Sequence, residues 1–144
     1  MGSESLIGDR HTPPSMEIKA MITEDDLLSR TMLCDLLEDF FPEVHIVGMA
    51  ENVKDSVAFL KEHKIDLLFL DIELPDGKGF DILRLLKNFD FNVIITTSYD
   101  KYAEELGSLN ILYSIVKPLT RQSLEKAMES FSGEKPDQKV PNLI

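Results

Sequence analysis

Five short, almost wholly apolar runs punctuate this 144-residue chain, and each is followed by a stretch with apolar residues at helical spacing. The runs are 18–23, 44–50, 67–70, 92–97 and 112–116. They are too short for helices and show little polar alternation, the pattern of strands covered on both faces. Residues 26–40 place Leu33, Leu36, Leu37 and Phe40 on one helical face, and residues 53–64 align Val53, Val57 and Leu60. A turn at 75–79 leads into a helix over 80–87, and a short helix is expected near 102–106. Leu124, Ala127, Met128 and Phe131 place a final helix at 123–132. Such alternation gives a parallel sheet with right-handed crossovers, so the expected class is α/β, one doubly wound domain over residues 16–132.

The flanks read differently. Residues 1–15 lack periodicity and carry Pro13–Pro14, so they are expected to be a disordered or appended leader, with Met16 as a candidate native start. After Gly133, Pro136 and Pro141 prevent a helix, and 133–144 reads as a linker toward a further, output domain. No apolar run approaches the ~20 residues of a membrane helix. The single cysteine, Cys34, excludes an intramolecular disulfide, and a reducing, cytoplasmic setting is expected. With 26 acidic against 15 basic residues the net charge is −11, which repels a phosphate backbone. This segment is therefore not expected to bind nucleic acid by itself.

In an open α/β sheet, ligands bind beyond the carboxyl ends of the strands. Glu24, Asp25 and Asp26 follow the first strand, Asp71, Ile72 and Glu73 the third, Thr97, Ser98 and Tyr99 the fourth, and Lys117–Pro118 the fifth. If those strands are neighbours, three carboxylates crowd one crevice. Two unit charges ~4 Å apart repel by roughly 4 kcal/mol at an effective dielectric of 20, so the cluster needs a cation or protons. Carboxylates with water suit Mg²⁺, and no His or Cys stands at these loop ends to favour zinc. An aspartate beside a divalent ion, a lysine and a hydroxyl suits phosphoryl transfer, with the carboxylate as nucleophile. Taken singly, each residue has a plainer role. A strand-end Asp is ordinarily a turn or cap residue, Glu24–Asp26 could cap the first helix, and Asp26 is expected to do so.

The segments ITEDD (22–26) with Arg30, LFLDIELPDGKGFDIL (68–83), VIITTSYD (93–100) and IVKP (115–118) resemble the receiver domain of two-component response regulators. SYDKYAEELGSLNILYSIVKPLT looks most like the LytTR branch, whose receivers often precede a DNA-binding domain. The resemblance implies a flavodoxin-like (βα)5 fold with sheet order 2-1-3-4-5. It implies that Asp71 accepts a phosphoryl group from a sensor histidine kinase. Asp25 would bind Mg²⁺ directly and Glu24 through water, with Asp71 and the backbone carbonyl of Glu73 completing the ligands. Thr97 and Lys117 would bind the phosphoryl group, and Lys117–Pro118 would be cis. Output would run through the surface of the fourth helix, fifth strand and fifth helix, to a homodimer partner or a transcriptional output domain.

The chain departs from the family pattern in places. The family usually carries an aromatic residue three before the lysine; here that position is Ser114, with Tyr113 one earlier. A one-residue offset on a strand turns the ring to the opposite face. Gly107 and Ser108 stand where this branch tends to carry an aromatic and an acid. Two other readings compete. A haloacid-dehalogenase-like phosphatase would use FLDIE as its Asp-x-Asp strand end, but its second acid is Glu and no Asp-rich metal motif follows Lys117. A pseudo-receiver that only docks a partner would lack an acid or the lysine, and neither is missing.

Overall fold

The computed structural model describes residues 17–98, 109, 111–132 and 138–139. Five parallel strands form the central sheet: β1 (Ile18–Thr23), β2 (Val44–Ala50), β3 (Leu67–Asp71), β4 (Asn92–Thr97) and β5 (Tyr113–Val116). Their order is β2-β1-β3-β4-β5. Four helices accompany them among the described residues: α1 (Leu27–Phe40), α2 (Val53–Glu62), α3 (Gly79–Leu86) and α4 (Arg121–Glu129). This is the expected flavodoxin-like arrangement. The short helix expected near 102–106 lies outside the described residues, as do the leader (1–15) and most of the expected linker (133–144).

Side-chain alternation along the strands fills two cores, one on each sheet face. Leu68, Leu70, Val93 and Ile95 pack against Val53 of α2 and Phe80, Ile82 and Leu83 of α3. Leu67, Phe69, Ile94 and Ile115 pack against Leu33 and Leu37 of α1 and Leu124, Ala127 and Met128 of α4. β3 is buried along its whole length, as a central parallel strand must be. Each Leu, Ile or Phe so buried contributes roughly 1.5–3 kcal/mol relative to exposure.

The edge strand β2 departs from the two-faced expectation. Its burial alternates, and Val47 and Met49 are exposed on this strand, which has a strand partner on one side only among the described residues. The register against β1 slips by one between Ala20 and Met21, so Val47 bulges out and the strand changes parity. Phe40 of α1 is likewise exposed, its ring covered by the Arg121 guanidinium 3.9 Å away. Two short antiparallel ladders carried no periodic signal. Glu73–Leu74 pairs with Gly77–Lys78, and Asn88–Phe89 pairs with Gln138–Lys139 from the tail read as linker.

The starts of α1 and α4 are set by side chains just outside them. Asp26 caps α1 as expected, accepting from the Ser29 amide at 2.9 Å. Thr120 caps α4 by accepting from the Ser123 amide, so that helix begins two residues before its expected start. Register aligns the carboxyl ends of the strands: Thr23 faces Ala50 and Leu70, Asp71 faces Thr96, and Thr97 faces Val116. The loops that leave these ends therefore meet above the sheet. Gly79 makes room there. Its amide donates to the Ile72 carbonyl at 2.7 Å, and a Cβ would run into the Asp71 carbonyl oxygen. Gly79→Ala is expected to lower the urea unfolding free energy by about 1–3 kcal/mol, as overpacking does elsewhere.

Candidate functional site

Glu24 is fixed from several directions where β1 ends. Its amide donates to the Ala50 carbonyl at 3.0 Å, and its own carbonyl accepts from Arg30 Nη1 at 2.8 Å. One carboxylate oxygen accepts from the Asp26 amide at 3.1 Å, and the other meets Lys117 Nζ at 2.7 Å. Asp71 ends β3, and one of its oxygens lies 3.5 Å from the same ammonium. Lys117 reaches in from the end of β5, where its amide donates to the Thr97 carbonyl at 2.7 Å and its bond to Pro118 is cis.

Glu24 and Asp71 are buried, whereas Asp25 is exposed. One oxygen from each of the three lies within 4.8 Å of the others. They open into a cleft of about 460 Å³, whose walls also include Ser29, Glu73, Lys78 and Ser98. An all-oxygen set with one member open to water is the donor chemistry of a hard divalent cation.

Charge is out of balance here, since two buried carboxylates share one ammonium. Burial pushes the Asp71 carboxyl up to about 7; the Glu24 charge and a hydrogen bond with Glu24 add to the rise, while Lys117 and the Glu73 amide oppose it. Burial would lower Lys117, but its hydrogen bond to Glu24 and the charges of Asp71 and Glu24 outweigh that and hold it above the ordinary lysine value. Lys117 thus stays charged near neutral pH, and Asp71 there is poised between its two forms.

The chain matches the response regulator receiver domain family over residues 20–129. It belongs to that family. The receiver is 32% identical over 123 residues to the sensory transduction protein LytT of Bacillus anthracis, covering 84% of this chain and 50% of that protein. It is 30% identical over 122 residues to the transcriptional regulatory protein LytR of Staphylococcus aureus, covering 82% and 48%. The chain thus spans about half the length of these curated relatives. Among solved structures, the response regulatory domain of mrkE from Klebsiella pneumoniae matches with a TM-score of 0.71 at 24% identity, over 78% of this chain and 93% of that one.

Of the residues singled out in the receiver's sequence, the structure brings Glu24, Asp25, Asp71, Glu73 and Lys117 to one cleft. Thr97 is buried one step deeper, and Ser98 forms the wall at that strand end. Ser114 is exposed, whereas Tyr113 packs into the core on the α1–α4 side, so the offset does put the ring on the other face. Tyr99, Tyr102, Gly107 and Ser108 lie outside the described residues. Lys78 and Ser29 gave no signal in the sequence. Lys78 sits in a turn-like DGKG, and only the hairpin brings its ammonium within 3.0 Å of the Glu73 carboxylate. No helix among the described residues is long and apolar enough to cross a membrane.

The raised Asp71 value has a measurable consequence. Because its folded pKa exceeds the unfolded one, its proton favours the fold most fully below about pH 4, and that contribution fades as pH rises through about 7. In chelator, wild-type stability is expected to fall by roughly 1–3 kcal/mol more than that of Asp71→Asn between pH 5 and pH 8. Urea unfolding of both proteins at the two pH values reads the difference directly.

Proposed function

We propose that this receiver accepts a phosphoryl group on Asp71 from the phosphohistidine of a sensor kinase, in a Mg²⁺-dependent reaction within the cytoplasm. The observation that carries the reading is the meeting of the Glu24, Asp25 and Asp71 carboxylates around the Lys117 ammonium. Asp25, Asp71 and the backbone carbonyl of Glu73 would hold the cation directly, and Glu24 through water. Mg²⁺ bound there supplies positive charge that offsets the phosphoryl oxygens.

The rest falls to the chain's own groups. Asp71 attacks phosphorus with a carboxylate oxygen; the O–P bond forms as the N–P bond of the donor imidazole breaks, and the imidazole keeps the electron pair. Lys117, held between Glu24 and Asp71, turns its ammonium to a phosphoryl oxygen, and Thr97 donates its hydroxyl to another. The added charge then biases a two-state element toward a partner. Transfer and slow self-hydrolysis make it a signalling domain that is modified rather than a turnover enzyme. The likeness to the transcriptional regulatory protein LytR, of which the chain covers 48%, supports output through a transcriptional domain. A homodimer through β5, α4 and the short helix expected near 102–106 is the alternative route of output; residues 102–106 lie outside the described ones.

Acetyl phosphate with Mg²⁺ is expected to add one phosphoryl group to the intact mass of wild type and none to Asp71→Asn, and a chelator should abolish the gain. Labelling of Asp71→Asn equal to wild type would remove the proposal. Asp25→Ala is expected to lose most Mg²⁺ affinity, whereas Asp26→Ala should cost stability by about 1 kcal/mol through the lost cap. The reverse ranking would show that the roles of the two acids are exchanged.

A further inference from the structure

The loop after Asp71 folds back as a two-residue antiparallel ladder, Glu73–Leu74 against Gly77–Lys78. So small a ladder has little stability of its own. Its base is held by the Gly79 amide on the Ile72 carbonyl. Its apex is held from outside. Asp76 spends both carboxylate oxygens on the first turn of α2, accepting from the Val53 amide at 2.7 Å and the Lys54 amide at 3.0 Å. The side chain of Asn52, the cap residue of that helix, accepts from the Asp55 amide at 2.7 Å. Two of the unpaired amides of α2 are therefore satisfied by a residue of the acceptor loop, 23 and 22 positions away.

α2 is in turn fixed to β1. Ser56 is fully buried, and its hydroxyl bonds the Thr23 hydroxyl at 2.9 Å, directly before Glu24. A ring of contacts is thereby closed: Glu24 and Asp25 leave Thr23, Thr23 holds Ser56, α2 holds Asp76, and Asp76 holds the hairpin that carries Glu73. Both loops that bear oxygen ligands are thus set against one helix end.

We propose that Asp76 is a positioning residue for the divalent-cation site, fixing the distance between the Asp25 loop and the Glu73 carbonyl through the first turn of α2. The proposal rests on the reading of the cleft as a Mg²⁺ site. Asp76 does not touch the ion. Removing it frees the hairpin apex, so the carbonyl is no longer held ready.

Two variants of the same helix end separate this role from simple capping. Asp76→Ala removes the tie to the loop, whereas Asn52→Ala removes a cap and leaves the loop tied. Calorimetric Mg²⁺ titration of the full chain is expected to show affinity weakened about 10-fold in Asp76→Ala, as losses around metal ligands commonly do, and unchanged in Asn52→Ala. Asp76→Asn keeps one acceptor oxygen and should fall between; it is read in place of Asp76→Ala if the latter does not fold. In metal-free protein, amide exchange over residues 72–78 should quicken in Asp76→Ala and not in Asn52→Ala. Unchanged Mg²⁺ affinity in the Asp76 variants, or equal weakening in Asn52→Ala, overturns the positioning role. Mg²⁺ binding by Asp25→Ala as tight as wild type overturns the cation-site reading itself, whatever the Asp76 variants do.

Discussion

Two carboxylates buried against one ammonium set the terms for everything above the sheet. Glu24 and Asp71 are both shielded from water, and Lys117 can neutralise only one of them. Buried charge without a partner is costly, so the site carries a standing demand for a proton or a cation. Asp71 meets the demand near neutrality by holding its proton part of the time. A divalent ion held by the cluster would meet it better, since the exposed Asp25 offers it a third carboxylate. The same deficit explains why Lys117 is drawn inward although burial disfavours its charge.

The fold makes this crowding unavoidable. Parallel strands in register deliver their carboxyl ends at one level, and β1 is where the strand order reverses. Residues after β1, β3 and β5 have nowhere else to go. What the fold does not dictate is the exact height of each group. That is set locally, by the Arg30 contact to the Glu24 carbonyl, the close approach of Gly79 to the Asp71 backbone, and the Asp76 tie to α2.

Much of this was legible in the sequence because apolar periodicity and strand-end chemistry are local signals. Five runs became five strands, and the acids and the lysine stand directly after the ends of those runs. The misreadings have physical causes. The start of α4 is fixed by the Thr120 hydroxyl, which an apolar pattern beginning at Leu124 does not register. Ladders of two residues are shorter than one period of any pattern, so the hairpin after Asp71 and the Asn88–Gln138 ladders passed as loop. Thr97 and Ser98 are neighbours in the chain, and sequence alone does not give their relative depth: Thr97 is buried at the end of β4, and Ser98 forms the wall just beyond it. The role of Asp76 depends on a contact across 23 residues, beyond the reach of any window.

The bulge in β2 has a consequence away from the cleft. An edge strand with open hydrogen-bonding groups invites a strand of another molecule to extend the sheet, and apolar Val47 and Met49 would add to the attraction. The extra residue at Val47 breaks the repeat of the ladder just there. A flat intruding strand finds matching partners for only part of its length. The bulge therefore works against extension of the sheet at the point where hydrophobic side chains lie on the rim.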